Sequence, residues 1–469
     1  MKKVLMRAMM SPDAEKSAFE VISKNLIGNN AGNMIYANSI FRTILTEDTQ
    51  IDTIATNQVF PQSEIDRMNE EYDYFIIPLA NAFRTSFISE LKLLTKLVTS
   101  LKIPCIIAGV GIQVSLDLGV NRKFSFDETV KNFIDAVLEK SSIVGIRGET
   151  TGAYLNKLGY VEEKDYTIIG CPSMYMFGKN LPKARVGGLT SESAVSINYK
   201  IDLPLSLHEL INRSMEQLPN FHFIPQSIEE LRLLYGGIPY PVEKHKVVPE
   251  TYPVKISSEI YRQDKVLGFV NVESWLNFLK GADFSFGSRI HGNIAAVLAG
   301  TPCYIFAYDS RICELASYHN IPFMQVKEIT QQTNIFDIYE KTDFTSVQKG
   351  HEERFLHFLD FLNKNKIPHI YDKKGNITKV PFETRMEGVR TEEPVHSFSS
   401  IGIEEQEERL DLYYRYFRNQ CWSLKKERNN LLEEMEKKEE SEEEKIIEEK
   451  ITEEKKIGKV KKLLDKLGI

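Results

Sequence analysis

Arg289 and His291 are separated by a single residue in the run Phe284-Ser-Phe-Gly-Ser-Arg-Ile-His-Gly-Asn. The pair sets a permanent cation beside an imidazole that titrates near neutral pH. Ser288 has the side chain of a helix N-cap, and the small apolar residues of 293–299 read as a helix with Gly300 as its stop. First-turn N–H groups have no partner inside a helix, so they can donate to an anion. The Arg289 fork matches a carboxylate or phosphate, and Gly292 clears a side chain where a ligand would approach. This is equipment for holding a phosphorylated anion and moving a proton beside it. The alternative is a structural ion pair at Arg289 and a satisfied, partly buried imidazole at His291. The residues alone leave both readings open.

Elements must bring this turn to a surface. Residues 281–309 read as strand, turn, helix and strand, with Thr301-Pro302 before the second strand. Upstream, short apolar strands at 74–77, 103–108 and 143–146 alternate with helices at 86–101, 126–138 and 151–158, the last stopped by Gly159. A second series begins at 194–198 and continues through a helix at 205–218, a strand at 221–225 and a helix at 272–279. Residues 234–263, with four prolines, read as a loop-rich insertion. Strand–helix alternation predicts parallel, doubly wound sheets. The expected fold is α/β, with two Rossmann-like domains and a cleft between them, resembling the GT-B glycosyltransferase architecture. The predicted boundaries are 1–180, 181–345, a helix at 346–371 packing back on the core, a linker at 372–402 and a tail at 403–469. Arg147 follows the strand at 143–146, at a carboxyl end where open sheets gather ligands. An ion pair with Glu149 is its alternative. Gly109-x-Gly111 lacks a third glycine in place and reads as a plain turn at a strand end.

The tail differs in kind. Leu410, Tyr414, Phe417, Cys421, Leu424, Arg428, Leu431 and Met435 recur four and three residues apart, the seam of a coiled coil about four heptads long. Residues 436–456 are mostly Glu and Lys and read as a solvated helix or disorder. Residues 457–467 form a last amphipathic set. The tail is read as a self-association element giving a homo-oligomer, with intramolecular packing or a membrane-surface helix at 455–469 as alternatives.

Composition bounds the function. A net charge of −7 offers no basic field, so nucleic acid is not an expected partner. The five cysteines are scattered, with no Cys-x-x-Cys, so no zinc ribbon is expected, and Cys105 and Cys303 read as small core residues in a reducing compartment. No His, Asp and Glu cluster suggests a metal, and no cofactor is expected. The start of the chain makes a poor signal peptide, and no run of about 20 apolar residues suggests a span. The expected location is the cytoplasm, with a peripheral position at the inner face of the membrane as the alternative.

Ser288-Arg289-Ile290-His291-Gly292, with Gly300-Thr301-Pro302 and Tyr308-Asp309, resembles the signature of the polysaccharide pyruvyl transferase family. Ile290 stands for the usual Leu and Arg311 for the usual Lys. The turn 28–33, with Asn30, Gly32 and Asn33, resembles the family's segment before its first long helix. Residues 107–112, 144–150 and 170–172 match more loosely. The resemblance implies transfer of the pyruvate unit of phosphoenolpyruvate onto sugar hydroxyls of a cell-surface glycan or exopolysaccharide. The partners it implies are phosphoenolpyruvate and a sugar or lipid-linked oligosaccharide acceptor. The N-terminal half would face the acceptor and the C-terminal half the donor. Arg289 and His291 are the implied catalytic pair, with His291 donating a proton to the methylene carbon or assisting phosphate departure. Arg147, Ser288, Ile290, Gly292, Asn293, Asn30, Gly32, Asn33, Tyr308 and Arg311 are the implied substrate contacts, and Asp309 and Glu314 also stand where they could line the cleft. Asn33 replaces the usual acid, and Ser173 follows Pro172 where an Asp is often found. Two other readings stay open: a nucleotide-sugar glycosyltransferase of GT-B type, and a non-catalytic scaffold in glycan assembly. Residues 292–300 contain no acid, which disfavours the former.

Overall fold

The computed structural model describes residues 1–115, 119–244 and 248–467 and divides the chain into two compact units, Met1–Ile403 and Glu404–Ile469. The first unit contains two parallel sheets. One holds β1 (Lys2–Arg7), β2 (Thr49–Ile54), β3 (Tyr74–Pro78), β4 (Cys105–Val110), β5 (Val144–Ile146) and β6 (Tyr166–Ile168) in the order β2-β1-β3-β4-β5-β6. The other holds β7 (Val195–Asn198), β8 (Phe221–Phe223), β9 (Phe284–Gly287), β10 (Cys303–Ala307) and β11 (Phe323–Gln325) in the order β11-β10-β9-β7-β8. The two sheets share one topology. In each, the first strand lies between the second and the third, and the chain reverses direction across the sheet at that point. Crossover connections leave from both sides of such a switch point and open a crevice at the carboxyl ends of its two strands.

Central strands are buried on both faces, as parallel packing requires. All six residues of β4 are inaccessible, and Leu91, Leu94, Leu97 and Val98 of the helix Ile88–Ser100 pack over this sheet with Phe133 and Val137. The helix Gly32–Ile44 is buried almost all round, because it lies between the two halves and contacts both. The helix His351–Lys364 packs back on the first sheet: Phe361 abuts Gly145, and Asn365 bonds the backbone of Ser142 and Ile143. Cys105 and Cys303 are buried, as expected.

Residues 372–402 are not a free linker. Phe382 packs edge-on against Phe41 at 5.7 Å, and Glu383 pairs with the buried Arg42 at 2.6 Å. Val395 then forms an antiparallel bridge with Gly268, and Asn271 donates to the Glu392 carbonyl at 2.7 Å. The segment therefore straps the first half to the second. Its anchors are single side chains without period, so its polar composition hides the docking.

The second unit is one 65-residue helix, Ile403–Leu467. Leu410, Tyr414, Phe417, Leu424 and Leu431 are all exposed on it. The Met435 side chain and most of those beyond it, including the 457–467 set, lie outside the described residues. No helix among the described residues is long and apolar enough to cross a membrane.

Candidate active site

The Arg289–His291 turn leaves the carboxyl end of β9 at the switch point of the second sheet. Gly287 pairs with Asn198 of β7, and a Cβ on Gly287 would strike the Asn198 backbone, so only glycine allows the strands to close there. Asn198 organises the turn. Its carbonyl accepts from Ser288 N at 2.7 Å, and its Oδ1 accepts from Arg289 N and from Asn293 Nδ2, both at 3.1 Å. The helix therefore starts earlier than its sequence suggests, at Ile290, with Arg289 as N-cap. Ser288 does not cap it: the helix begins one residue later, and the serine Oγ is buried without a partner.

Arg289 is held by a buried carboxylate. Its Nη2 donates to Glu230 Oε1 at 3.1 Å and Oε2 at 2.9 Å, and its Nε donates to the Tyr199 carbonyl at 3.3 Å. Glu230 is 2% exposed and also accepts from Tyr252 Oη. The structural ion pair is thus real, and Arg289 still lines the cleft between the halves.

His291 is 9% exposed and also lines that cleft. Gly32 lies against it so closely that a Cβ there would meet the His291 Cβ and Nδ1 at 2.6 and 2.7 Å. The Tyr36 ring lies 6.3 Å away, and His291 Nε2 is 3.7 Å from the buried Cys171 Sγ. Burial first, then the charges of Arg147 and Arg311, push the imidazole down to about 3. His291 is therefore neutral in the unliganded protein at any pH near 7.

Arg147 makes no ion pair with Glu149. It is 1% exposed, its Nε donates to the Gly109 carbonyl at 2.7 Å, and its guanidinium lies 5.5 Å from the centre of the Tyr36 ring. Its Nη2 is buried without a partner. The local backbone explains the access. Gly109 sits at φ +80°, where the pairing of β4 with β5 slips, and the slip turns a carbonyl toward Arg147. Gly109-x-Gly111 is thus a packing device: a Cβ at 109 would strike Tyr36 and Pro172, and one at 111 would press on Arg147.

The cleft encloses about 1230 Å³. Of the residues expected to meet substrate, Ser288, Arg289, Ile290, His291, Tyr308, Arg311, Asn30 and Asn33 line it. Arg147, Gly32, Gly292 and Asn293 stand behind that lining. Asn293 is fully buried in the Asn198 network, and Gly292 makes room for Gln226. Asn33 ties its own turn, donating to the Ile27 and Gly28 carbonyls at 3.0 Å. Arg311 pairs with Asp309 at 3.4 Å and donates to Tyr308 Oη at 3.2 Å, while Asp309 caps the helix Ser310–Tyr318 and accepts from Gln113 Nε2 at 3.0 Å. Glu314 does not line the cleft. It is buried between the halves, accepting from Thr151 N at 2.7 Å and Thr151 Oγ1 at 3.0 Å. Sequence reasoning missed Asn198, Glu230, Tyr36 and Gln226, which sit in elements with no motif of their own. Among the described residues no His, Cys, Asp and Glu group could hold a metal.

The family described as polysaccharide pyruvyl transferase matches residues 35–310 of this chain. The chain belongs to the polysaccharide pyruvyl transferase family. The matched span holds Tyr36, Arg147, Cys171 and the whole Arg289–His291 turn, and stops short of Arg311. No curated protein matches the chain by sequence. Among solved structures, the family member is similar to a functionally uncharacterized protein of Klebsiella pneumoniae, at 14% identity over 69% of this chain and 93% of that one, TM-score 0.37. It is similar to a UDP-GlcNAc 2-epimerase of Methanocaldococcus jannaschii solved with UDP-GlcNAc and UDP, at 11% identity over 77% and 100%, TM-score 0.36. It is also similar to a putative UDP-N-acetylglucosamine 2-epimerase of Listeria monocytogenes, at 11% identity over 84% and 98%, TM-score 0.38.

Proposed function

We propose that this pyruvyl transferase takes phosphoenolpyruvate as donor and forms a pyruvate ketal on two hydroxyls of a glycan acceptor. The observation that carries the reading is the setting of His291: an imidazole at a cleft, with Arg289 and Arg311 on the same wall and Arg147 behind it. The donor brings a carboxylate and a phosphate, and Arg289 and Arg311 face them with guanidinium groups. Glu230 and Asp309 fix the direction of those groups without removing their remaining donors.

In the reaction one acceptor hydroxyl oxygen bonds to the central carbon of the donor, and a proton goes to the methylene carbon, which becomes methyl. A second hydroxyl oxygen then bonds to the same carbon as its bond to the phosphate oxygen breaks. Inorganic phosphate leaves. One hydroxyl proton is matched by the new methyl hydrogen, and the other departs with phosphate. His291 stands where it can relay the first proton. As a neutral imidazole it accepts from the attacking hydroxyl, and the negative charge of the bound donor offsets Arg147 and Arg311 while it carries the proton. We place the reaction in the cytoplasm or at the inner face of the membrane, and we propose that the exposed seam of the tail helix is covered by a second copy of the chain.

The test is a donor panel followed by turnover. Phosphoenolpyruvate should raise the melting temperature of the full chain, and nucleotide sugars should not. With an accepted glycan, phosphate release and ketal formation should appear together and fall at least 100-fold in His291→Gln. Stabilisation by nucleotide sugars alone, or full turnover by His291→Gln, overturns the reading.

A further inference from the structure

The first half contributes two cations to the cleft that the donor reading does not use. Arg7 ends β1, at the switch point of the first sheet, and Arg84 stands in the segment after β3. Both line the cleft. Arg7 is held only by neutral acceptors: its Nε donates to Thr56 Oγ1 at 2.8 Å and its Nη1 to the Pro78 carbonyl at 3.2 Å. Arg84 Nη1 donates to Gln113 Oε1 at 3.1 Å, its guanidinium lies 5.4 Å from the centre of the Phe87 ring, and its Nε is shielded from solvent without a partner.

Three other arginines that line the cleft have a carboxylate: Arg289 has Glu230, Arg311 has Asp309 and Arg42 has Glu383. Among the described residues no carboxylate lies within 4.0 Å of Arg7 or Arg84. Glu90 also lines the cleft, and its field acts on both arginines, as that of Asp309 does on Arg84, yet neither carboxylate reaches them and Asp309 is already paired with Arg311. Burial pushes the proton affinity of both guanidinium groups down, and in Arg84 the charge of Arg311 adds to that. Guanidinium groups stay charged at any ordinary pH, so the imbalance is not relieved by losing a proton. Withdrawing a cation from water without a counter-charge is costly unless a ligand supplies one.

We propose that Arg7 and Arg84 form an anion subsite on the acceptor wall, so that the glycan accepting pyruvate is itself anionic, bearing a phosphate or a carboxylate. The inference rests on the pyruvyl-transfer reading for the word acceptor, but not for the subsite. The cleft has room for two ligands, being larger than the range of about 300–1,000 Å³ usual for a drug-sized molecule, whereas the donor is a small acid. The donor and the acceptor's anion would then each have guanidinium groups of their own.

The full chain is saturated with phosphoenolpyruvate and titrated by calorimetry with galactose 1-phosphate, galacturonic acid and galactose, and with the three glucose counterparts. At least one charged sugar should bind ten or more times tighter than its neutral parent and should weaken as salt is raised. Whether the phosphate or the carboxylate is preferred names the source of the anion. Arg84→Gln and Arg7→Gln should each weaken that sugar tenfold or more while phosphoenolpyruvate affinity changes less than twofold. Arg84, on a loop after its strand, carries the test if Arg7→Gln fails to fold. No advantage for the charged sugars overturns the subsite, and so does an unchanged affinity in Arg84→Gln. A tenfold loss of phosphoenolpyruvate in both variants assigns the arginines to the donor and also overturns it. If phosphoenolpyruvate does not bind the wild type, the donor reading fails by itself, and the same sugar titration without donor still decides the subsite.

Discussion

The two switch points of this molecule share one strand order and differ in how their charges are settled. At the second sheet, Arg289 is locked to a buried glutamate, and the turn behind it is tied by Asn198. At the first sheet, Arg7 and Arg84 have neutral partners only. The same topology thus gives one edge whose arginine is paired with a carboxylate and one whose arginines touch none. Topology explains where ligands gather. The local charge balance says which group arrives already positioned and which waits for its partner.

The strongest way to break this contrast is to remove a carboxylate from the completed edge. In Glu230→Gln the Arg289 guanidinium loses its counter-charge while remaining largely buried, and breaking such a pair costs about 3–5 kcal/mol. Chemical denaturation should show that loss. Arg84→Gln, which removes an uncompensated cation instead, should change stability by less than about 1 kcal/mol or raise it. Equal losses in the two variants would mean that the two edges are not differently balanced.

His291 sharpens the same contrast through protons. Its folded pKa lies at about 3, against an ordinary value of 6.5, because burial and then Arg147 and Arg311 disfavour the imidazolium. Unfolded chain takes up a proton near pH 6.5 that the folded site refuses. The stability tied to this residue is therefore complete above about pH 6.5 and declines as pH falls toward 3. The wild type should lose more stability between pH 7 and pH 5 than His291→Gln does, as measured by urea denaturation at each pH. An identical pH profile in the two proteins would show that His291 is already solvated and ordinary.

The sequence made the Arg289–His291 turn readable because strand, turn and helix are local and their residue types agree. It could not reveal what completes that turn. Asn198, Glu230 and Tyr36 come from strands and helices far away in sequence, and nothing in their own surroundings marks them as partners. Ser288 shows the opposite failure. It is a good cap by type, but the helix starts at Ile290 with Arg289 as its N-cap, and Asn198 ties the Arg289 N–H from a distant strand. Arg147 was placed at the right strand end, yet its burial depends on the slip at Gly109 and on glycine at 111, which spacing alone presented as a plain turn. The strap at 372–402 was hidden for a different reason: hydrophobic periodicity reports elements, and a strap held by isolated anchors such as Phe382 and Val395 has none.

The smallest effect expected lies away from both edges, where the halves meet. Glu314 comes from the second half and accepts two hydrogen bonds from Thr151, in the first turn of the helix Glu149–Leu158 of the first half. Burial pushes its carboxyl up to about 7, against the pull of the Thr151 bonds and Arg147. The folded protein thus retains a proton that the unfolded chain releases near 4.5. Stability tied to Glu314 is complete below about pH 4.5 and is lost as pH rises through 7, the reverse of the His291 trend. Between pH 4.5 and 6.5 the two residues oppose one another, so the wild-type profile should be flatter there than either variant alone. Glu314→Gln keeps an acceptor for Thr151 and removes the titration. It should gain on the wild type from pH 6 to pH 8 in urea denaturation, and a constant difference across that range would mean that the Glu314 carboxylate is already ionised at the junction.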